Sequence, residues 1–307
     1  MGPDGMSARD RLLAVAVAAA WGLNFVAIDA SLGHFPPFFL VALRFALLAI
    51  PTILFVPRPR VRLRWLIGYG LGFGTFQFLF LYAGMVAGMP AGLASLVLQS
   101  SAPFTVLLGA LFFRERMSPA RIAGLVVACA GLAMVGAPRA GDGASLLPFL
   151  LVLAGGLSWA VGNVATAQAH ADDPLRLTLW MSVVPPLPML ALSLVVEGPD
   201  AIAGSLTSWQ EPTAAPALLG LAYTVLVGTV GGSGVWSWLM TRHGSSAVAP
   251  FSLLVPVVGI AAAWILLGQA VTPLDLAGAA VVMAGVYLAT RAPARGGART
   301  DPVVAPG

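Results

Sequence analysis

The chain contains ten apolar runs, each close to the length of a helix that crosses a membrane. Such a helix needs about 20 predominantly apolar residues to span the hydrocarbon core of a bilayer. No run shows the strict apolar–polar alternation of a transmembrane β-barrel strand. The pattern predicts an all-α integral membrane protein with ten transmembrane helices. The runs are Leu12–Leu32, Pro37–Val56, Trp65–Val86, Ala91–Phe113, Ala120–Val135, Leu146–Ala169, Leu177–Val196, Ala217–Met240, Ser245–Leu267 and Leu274–Thr290.

The composition excludes an ordinary soluble domain. Hydrophobic residues make up 59% of the 307 residues and charged residues only 9%, whereas about 25% of an average soluble domain is charged. A signal peptide is the alternative for the first run. Its apolar stretch would be about 7–15 residues long, and Leu12–Leu32 is longer and is followed by further runs. We therefore interpret the first run as a membrane helix.

The arginines predict the orientation of the chain. All 16 basic residues are Arg, and they lie singly or in short clusters between apolar runs, which does not suggest a nucleic-acid-binding patch. With a cytoplasmic N-terminus, fourteen arginines fall on the cytoplasmic side, Arg139 falls on the other side, and Arg44 lies within a run. Cytoplasmic loops of membrane proteins are enriched in basic residues. We therefore expect both termini in the cytoplasm.

An internal repeat divides the chain into two halves. The segments Pro119–Gly131 and Pro273–Gly285 share Pro, two Ala-Gly pairs and Val at a constant offset of 154 residues, and they fall in the fifth and tenth runs. A five-helix unit used twice has opposite orientations in its two copies, as in alternating-access transporters. Chance recurrence is the alternative, because 35 residues are Gly. The predicted organisation is an N-terminal tail (1–10), a first repeat (11–136), a periplasmic linker (137–145), a second repeat (146–290) and a disordered cytoplasmic tail (291–307).

Four segments, Trp21–Val26, Pro36–Phe45, Met89–Gln99 and Phe112–Pro119, carry a resemblance to a known family. The chain resembles the EamA family of the drug/metabolite transporter (DMT) superfamily, and in particular bacterial amino-acid exporters of the EamA (cysteine and O-acetylserine) and YddG type. The resemblance implies ten helices in two inverted five-helix repeats. It also implies a multi-pass protein of the bacterial inner membrane that exports small metabolites.

Polar and aromatic residues near the middle of the runs predict an internal substrate site, because polar side chains are costly to place against lipid. Together they offer donors, acceptors and an apolar wall, which a zwitterionic amino acid requires. The alternatives are that the amides bridge helices, that Phe78 only packs and that Tyr82 lies at the outer membrane interface. The candidate substrate-binding residues are Trp21, Asn24, Gln77, Phe78, Tyr82, Ser95, Gln99, Trp159, Asn163 and Tyr223.

Asp29 and Arg44 are the ionisable pair that we place inside the spans. Charges within a membrane commonly mark function, and they commonly pair with one another. Both residues lie toward the predicted outer side, so we expect that they can meet, with a structural salt bridge as the alternative to a functional site. His34, in the first outer turn, is expected to be solvated.

Prolines within the spans are candidate hinges. Proline removes a helical hydrogen bond and bends the helix. The hinge candidates are Pro103, Pro250 and Pro256.

The remaining motifs favour transport over enzymology. The chain has no phosphate-binding Gly-x-x-x-x-Gly-Lys motif and no His-Glu-x-x-His motif, and Cys129 is its one cysteine, so neither a cofactor nor a metal is expected. The sequence predicts a secondary transporter that exports amino acids or related small metabolites by alternating access. The alternatives are a membrane-embedded enzyme and a DMT exporter of drugs or non-amino-acid metabolites. The expected partners are a small-molecule substrate and the lipid bilayer, without nucleic acid, and the sequence is compatible with a monomer.

Overall fold

The computed structural model describes residues 6–113, 117–141 and 146–291. Ten helices in these ranges are long and apolar enough to cross a membrane, which confirms the predicted all-α fold with ten spans. The predicted tail beyond residue 291 and part of the 112–119 segment lie outside the described residues. Spans 1 to 10 are Ala8–Leu32, Pro37–Phe55, Leu63–Val86, Ala91–Phe112, Pro119–Arg139, Leu146–Ala169, Pro174–Val196, Ala214–His243, Ala249–Leu267 and Pro273–Thr290.

Prolines set the beginnings of several helices. Pro37, Pro119, Pro174 and Pro273 are the first residues of spans 2, 5, 7 and 10. The first helical position suits proline, because the N–H group that proline lacks would have no intrahelical partner there. At the other end, the helix of span 5 continues to Gly141. Residues 137–141, expected in a linker, are therefore helical.

Spans 3 and 8 each contain a π-helical segment at the same position in the repeat. These segments are Gly70–Phe76 and Tyr223–Gly231. In each, a threonine hydroxyl donates to the carbonyl five residues earlier, Thr75 to Gly70 and Thr229 to Thr224, both at 3.0 Å. The two threonines are 154 residues apart, the same offset as in the sequence repeat. π-Helical turns occur frequently at functional sites.

Spans 4 and 9 are also interrupted at related positions. Span 4 contains a 3-10 turn at Leu98–Ser100, and span 9 begins with a 3-10 segment at Ala249–Leu253. Pro103 follows the first interruption, Pro250 lies in the second, and Pro256 follows it. The three prolines thus lie at breaks in the α-helical pattern, and their role as hinges remains a prediction.

The spans pack as two intertwined, inverted repeats. Span 1 packs against spans 8 and 9, span 6 against spans 3 and 4, span 2 against span 7, and span 5 against span 10. Exchanging each span with its counterpart five positions away reproduces the same set of contacts. The helix packing therefore has the pseudo-two-fold symmetry that the sequence repeat predicts.

Spans 5 and 10 cross at unusually close range through glycines. A Cβ atom at Gly285 would lie 2.2 Å from the backbone nitrogen of Ala128, and one at Gly131 would lie 2.6 Å from that of Val282. Small residues let membrane helices approach this closely. Gly131 and Gly285 belong to the repeated Ala-Gly pairs, so the sequence repeat has a direct structural meaning.

A salt bridge closes the predicted outer end of this helix pair. Arg139 Nη1 lies 3.2 Å from Asp275 Oδ1, and the Asp275 side chain is 5% exposed. The Asp275 carboxylate also accepts hydrogen bonds from the backbone and hydroxyl of Thr272. The one arginine predicted on the outer side is therefore fixed by a partner in the other repeat.

Spans 2 and 7 are joined at both of their ends. At the predicted outer end, the Glu197 carboxylate accepts hydrogen bonds from the backbone N–H groups of Phe38 and Phe39, at 2.7 and 3.0 Å. A carboxylate is favourable at a helix N-terminus because unpaired N–H groups converge there. At the opposite end, Trp180 Nε1 donates to the carbonyl of Val56 at 3.0 Å. These contacts hold the two spans together across the repeat boundary.

His34 corrects the expectation of a solvated outer turn. Its side chain is 1% exposed. Nε2 lies 2.9 Å from the carbonyl oxygen of Ser205, and Nδ1 lies 3.0 Å from Thr213 Oγ1. Ser205 belongs to a short helix, Pro199–Thr207, in the loop between spans 7 and 8. The expectation was wrong because this loop folds over the turn between spans 1 and 2.

The close crossing of spans 5 and 10 predicts different results for two glycine substitutions. Gly285→Ala places a methyl group against backbone and should destabilise the protein by about 1–3 kcal/mol. Gly109 in span 4 has open space around its Cβ position, so Gly109→Ala should be neutral or stabilising, by up to about 1 kcal/mol. Thermal unfolding in detergent measures both. Equal melting temperatures for the two variants would contradict the close crossing.

Candidate functional site

Arg44 of span 2 lies at the junction of spans 3 and 8. Its Nη1 donates to the hydroxyl of Tyr82 at 3.2 Å, and its Nη2 donates to Thr229 Oγ1 at 3.1 Å. The guanidinium also lies 4.1 Å from the centre of the Phe78 ring. Arg44 is 5% exposed, and its Nε has no partner among the described residues. The repeats thus meet around a buried cation held by two hydroxyls and an aromatic face.

Span 1 reaches the same π-helical segment of span 8. Trp21 Nε1 donates to the carbonyl of Gly228 at 2.8 Å. The amide oxygen of Asn24 lies beside Gly228, 2.8 Å from the place where a Cβ would be, and has no hydrogen-bond partner. A Cβ at position 228 would displace the Asn24 amide, so glycine allows this close approach. Trp21 and Asn24 are therefore next to Thr229, which holds Arg44.

A row of aromatic rings connects Arg44 with span 6. Phe78 makes an edge-to-face contact with Phe73 at 5.9 Å, and Phe73 makes a similar contact with Trp159 at 5.6 Å. Edge-to-face pairs at such distances are favourable. Trp159 is half-buried. The predicted residues Trp21, Asn24, Phe78, Tyr82 and Trp159 thus belong to one continuous cluster, joined through Arg44, Phe73 and span 8.

Several buried polar atoms near the middle of the bundle have no partner within the described chain. Gln77 is 3% exposed and Thr224 is 2% exposed. Buried polar groups in native proteins are nearly always hydrogen-bonded, because leaving one unpaired costs free energy. Unpaired groups on several spans are therefore what a site for a polar ligand would present. The atoms are Asn24 Oδ1, Arg44 Nε, Gln77 Oε1, Ser100 Oγ and Thr224 Oγ1.

Other predicted residues bind neighbouring helices. Asn163 donates to Thr105 Oγ1 at 3.0 Å, so this amide bridges spans 6 and 4. The Tyr223 hydroxyl donates to the carbonyl of Ala20 at 3.0 Å and joins spans 8 and 1. Asn163 thus makes the helix-bridging contact that the sequence left open as an alternative for the amides, and Tyr223 also bridges two helices.

Ser95 and Gln99 also contact span 9. The Ser95 hydroxyl donates to the carbonyl of Gly92 within its own helix and packs against Gly259. Gln99 Nε2 lies 3.5 Å from the carbonyl oxygen of Ser252, at the limit of a hydrogen bond. Both residues therefore support the contact between spans 4 and 9.

The expected meeting of Asp29 and Arg44 does not occur. Arg44 donates to Tyr82 and Thr229 instead, and within the described part of the chain the Asp29 side chain makes no hydrogen bond or ion pair. Sequence position gives the depth of a residue in the membrane but not the direction of its side chain around the helix axis. The expectation rested on the depths of the two residues in the membrane and did not account for the directions of their side chains.

Phe73, Gly228 and Thr229 are central to the cluster and were not predicted. One sequence signal could have identified two of them. The pairs Gly74-Thr75 and Gly228-Thr229 are separated by 154 residues, the offset of the repeat. No group of three or more His, Cys, Asp or Glu within the described ranges could hold a metal ion. The cluster therefore offers hydrogen bonds, one positive charge and aromatic surface.

The separation of Asp29 from Arg44 can be tested with a double-mutant cycle. Because the two side chains do not touch, the effects of Asp29→Asn and Arg44→Gln on the free energy of unfolding should add to within about 0.5 kcal/mol. Breaking a buried ion pair would cost about 3–5 kcal/mol and produce a large coupling energy. Unfolding titrations with sodium dodecyl sulfate on the wild type, the single variants and the double variant measure this coupling. A coupling energy above 2 kcal/mol would show that the residues are paired.

Comparison with known proteins identifies the family. The sequence model of a family described as the "EamA-like transporter family" matches residues 11–137 and 146–291. A "probable amino-acid metabolite efflux pump" of Salmonella typhimurium is 44% identical over 288 residues, which cover 92% of this chain and 95% of the relative. The Escherichia coli protein of the same name is 42% identical with the same coverage.

A solved crystal structure supports the fold. It matches with a TM-score of 0.59 and 22% identity, over 93% of this chain and 97% of the other. The family match covers nearly all of both predicted repeats and confirms the resemblance drawn from the sequence motifs. This chain belongs to the EamA-like transporter family.

Proposed function

We propose that this transporter exports amino acids or related small metabolites across the bacterial inner membrane by alternating access. The observation that carries the proposal is the cluster around Arg44. It lies where spans 1, 2 and 3 of one repeat meet span 8 of the other. In transporters built from inverted repeats, substrate sites lie near the midplane at the repeat interface and are formed by interrupted helices.

The contents of the cluster favour a small zwitterionic substrate. The Arg44 guanidinium and the unpaired amide oxygen of Asn24 belong to one cluster with the aromatic rings of Trp21, Phe78 and Trp159. The relatives from Salmonella typhimurium and Escherichia coli carry names that refer to amino-acid metabolites. An exporter of drugs would be expected to offer a larger and more apolar surface. A membrane enzyme would need a nucleophile with a base, and the cluster presents no such pair.

The packing supports different roles for different spans during transport. The glycine crossing of spans 5 and 10 leaves no room for movement between backbones, so this pair is suited to act as a fixed scaffold. The π-helical breaks in spans 3 and 8 contribute residues to the cluster, and these breaks and those in spans 4 and 9 interrupt regular α-helical hydrogen bonding. Rocking of one repeat against the other around the central site would then open it alternately to the two sides.

Transport by purified protein tests this function. Wild-type protein in liposomes should exchange external radiolabelled amino acid for unlabelled amino acid trapped inside. Trp159→Ala should reduce the initial rate about tenfold or more, because Trp159 lines the site. Trp264→Ala is the matched control, since Trp264 is 63% exposed on span 9 and faces away from the protein interior.

The results distinguish the competing functions. Equal rates for the two tryptophan variants would place the site elsewhere. Exchange of drugs or non-amino-acid metabolites, without exchange of any amino acid, would favour the alternative type of exporter. Lipid hydrolysis by the purified protein, without exchange, would favour an enzyme.

We also propose that both termini face the cytoplasm, on the strength of the arginine distribution. Single cysteines in a Cys129→Ala background test the orientation. Ala87→Cys and Thr207→Cys lie at exposed positions of the predicted outer loops, and Arg60→Cys and Thr241→Cys lie at exposed positions of the opposite end. In intact cells an impermeant maleimide should label only the first pair. Labelling of only the second pair would reverse the orientation.

A further inference from the structure

We propose that Arg44 binds the carboxylate of the substrate, so that a free carboxylate is required for transport. This inference rests on the proposed function and narrows its substrate class. It starts from a buried positive charge that has no negative partner among the described residues.

The two hydroxyls that hold Arg44 leave one edge of its buried guanidinium without a hydrogen-bond partner among the described residues. An arginine side chain has five N–H donors. Tyr82 accepts from Nη1 and Thr229 accepts from Nη2, whereas Nε has no partner within the described chain. The hydroxyl proton of Thr229 is directed to the carbonyl of Thr224, which leaves its lone pairs free to accept from Arg44. The hydroxyls therefore fix the orientation of the guanidinium and leave the buried Nε–H unpaired.

The carboxylates located in or at the ends of the described spans do not neutralise Arg44. Asp10 lies 2.9 Å from His243 Nε2, Asp173 lies 3.5 Å from Arg176 Nε, and Asp275 pairs with Arg139. Glu197 accepts backbone hydrogen bonds at the N-terminus of span 2, and Asp29 does not contact Arg44. An isolated buried charge is unfavourable, and arginine remains protonated in proteins. The Phe78 ring, 4.1 Å from the guanidinium, compensates in part through a cation–π contact.

A carboxylate fits the vacant hydrogen-bonding capacity. Arginine forms two parallel hydrogen bonds with a carboxylate through neighbouring nitrogens, a geometry that confers specificity as well as affinity. The unpaired amide oxygen of Asn24 lies beside Gly228, the residue next to Thr229. It can accept a hydrogen bond from an ammonium group. An α-amino acid bears its ammonium and carboxylate on one carbon, so it can satisfy both sides of the site.

Within the described chain, uncharged side chains lie beside the corresponding glycine of span 3. Gly74 is the repeat counterpart of Gly228, and the side chains beside Gly74 are those of Met181 and Pro185 of span 7. Two uncharged side chains thus pack against the π-helical segment of span 3, whereas Arg44 binds that of span 8. The asymmetry predicts one carboxylate per transporter at this site.

The test compares an amino acid with analogues that lack the carboxylate. Counterflow of the best wild-type amino acid is measured in competition with the amino acid itself, its amide and its decarboxylated amine. The wild type should prefer the free acid over both analogues by at least about tenfold, the effect of one charge-assisted hydrogen bond. In Arg44→Gln this preference should fall toward one, and Arg44→Lys should retain part of it. Arg60→Gln, at an exposed arginine near the start of span 3, should keep the full preference.

The outcomes separate this inference from the proposed function. If the wild type exchanges no amino acid, the proposed function fails. If it exchanges amino acids but does not discriminate against the amide, or if Arg44→Gln keeps the full discrimination, the carboxylate role of Arg44 is overturned while the function stands. The wild-type comparison does not depend on the folding of any variant. Chloride serves as a further competitor. If chloride inhibits wild-type exchange as strongly as the free acid does, the site binds anions in general, and the inference is also overturned.

Discussion

The organisation of this protein depends on the need to satisfy buried polar groups in a bilayer. Regular helices meet this need for the backbone within each span, because water is absent from the hydrocarbon core. In the π-helical segment of span 8, by contrast, a backbone carbonyl and a side-chain hydroxyl form hydrogen bonds with residues of other spans. Trp21 donates to the Gly228 carbonyl, and Arg44 donates to the Thr229 hydroxyl. The candidate site lies where polar groups of different spans pair and where other buried polar atoms have no partner within the described chain.

Two kinds of inter-repeat contact have different physical character. Spans 5 and 10 approach through glycines, with backbone against backbone and a salt bridge at one end. At the centre, aromatic rings and a guanidinium make directional contacts, and several buried polar atoms remain without partners. A contact made by close-packed backbone has few alternative arrangements, whereas unpaired donors and acceptors can be satisfied by a ligand. This contrast supports the proposal that the first contact is a scaffold and the second is the place of binding.

The number of spans and the internal repeat could both be predicted from the sequence. Length and apolar character identify membrane helices, and the repeated Ala-Gly pairs mark a close crossing that allows little variation. The Gly-Thr pairs at the same offset mark the two π-helical segments. This signal can be recognised only after the two repeats have been aligned. Depth in the membrane drew attention to Trp21, Phe78, Tyr82 and Arg44, which the structure brings into one cluster.

What the sequence could not give is the direction of each side chain around its helix axis. Asp29 and Arg44 have compatible depths, yet Arg44 reaches hydroxyls on spans 3 and 8. Asn163 and Tyr223 are polar and lie within spans, yet they bind Thr105 and the Ala20 carbonyl. Phe73 is an apolar residue among many, and only the packing of spans 3 and 6 places it between Phe78 and Trp159. Each of these differences depends on helix rotation and on neighbours that are distant in sequence.

An experimental structure of the protein with a transported amino acid bound would show directly where the substrate lies. We expect ligand density between spans 1, 2, 3 and 8, with a carboxylate oxygen within hydrogen-bonding distance of Arg44 Nε and the side chain against the aromatic row. Density for the amino acid elsewhere in the bundle, with Arg44 still bound only to Tyr82 and Thr229, would contradict this expectation.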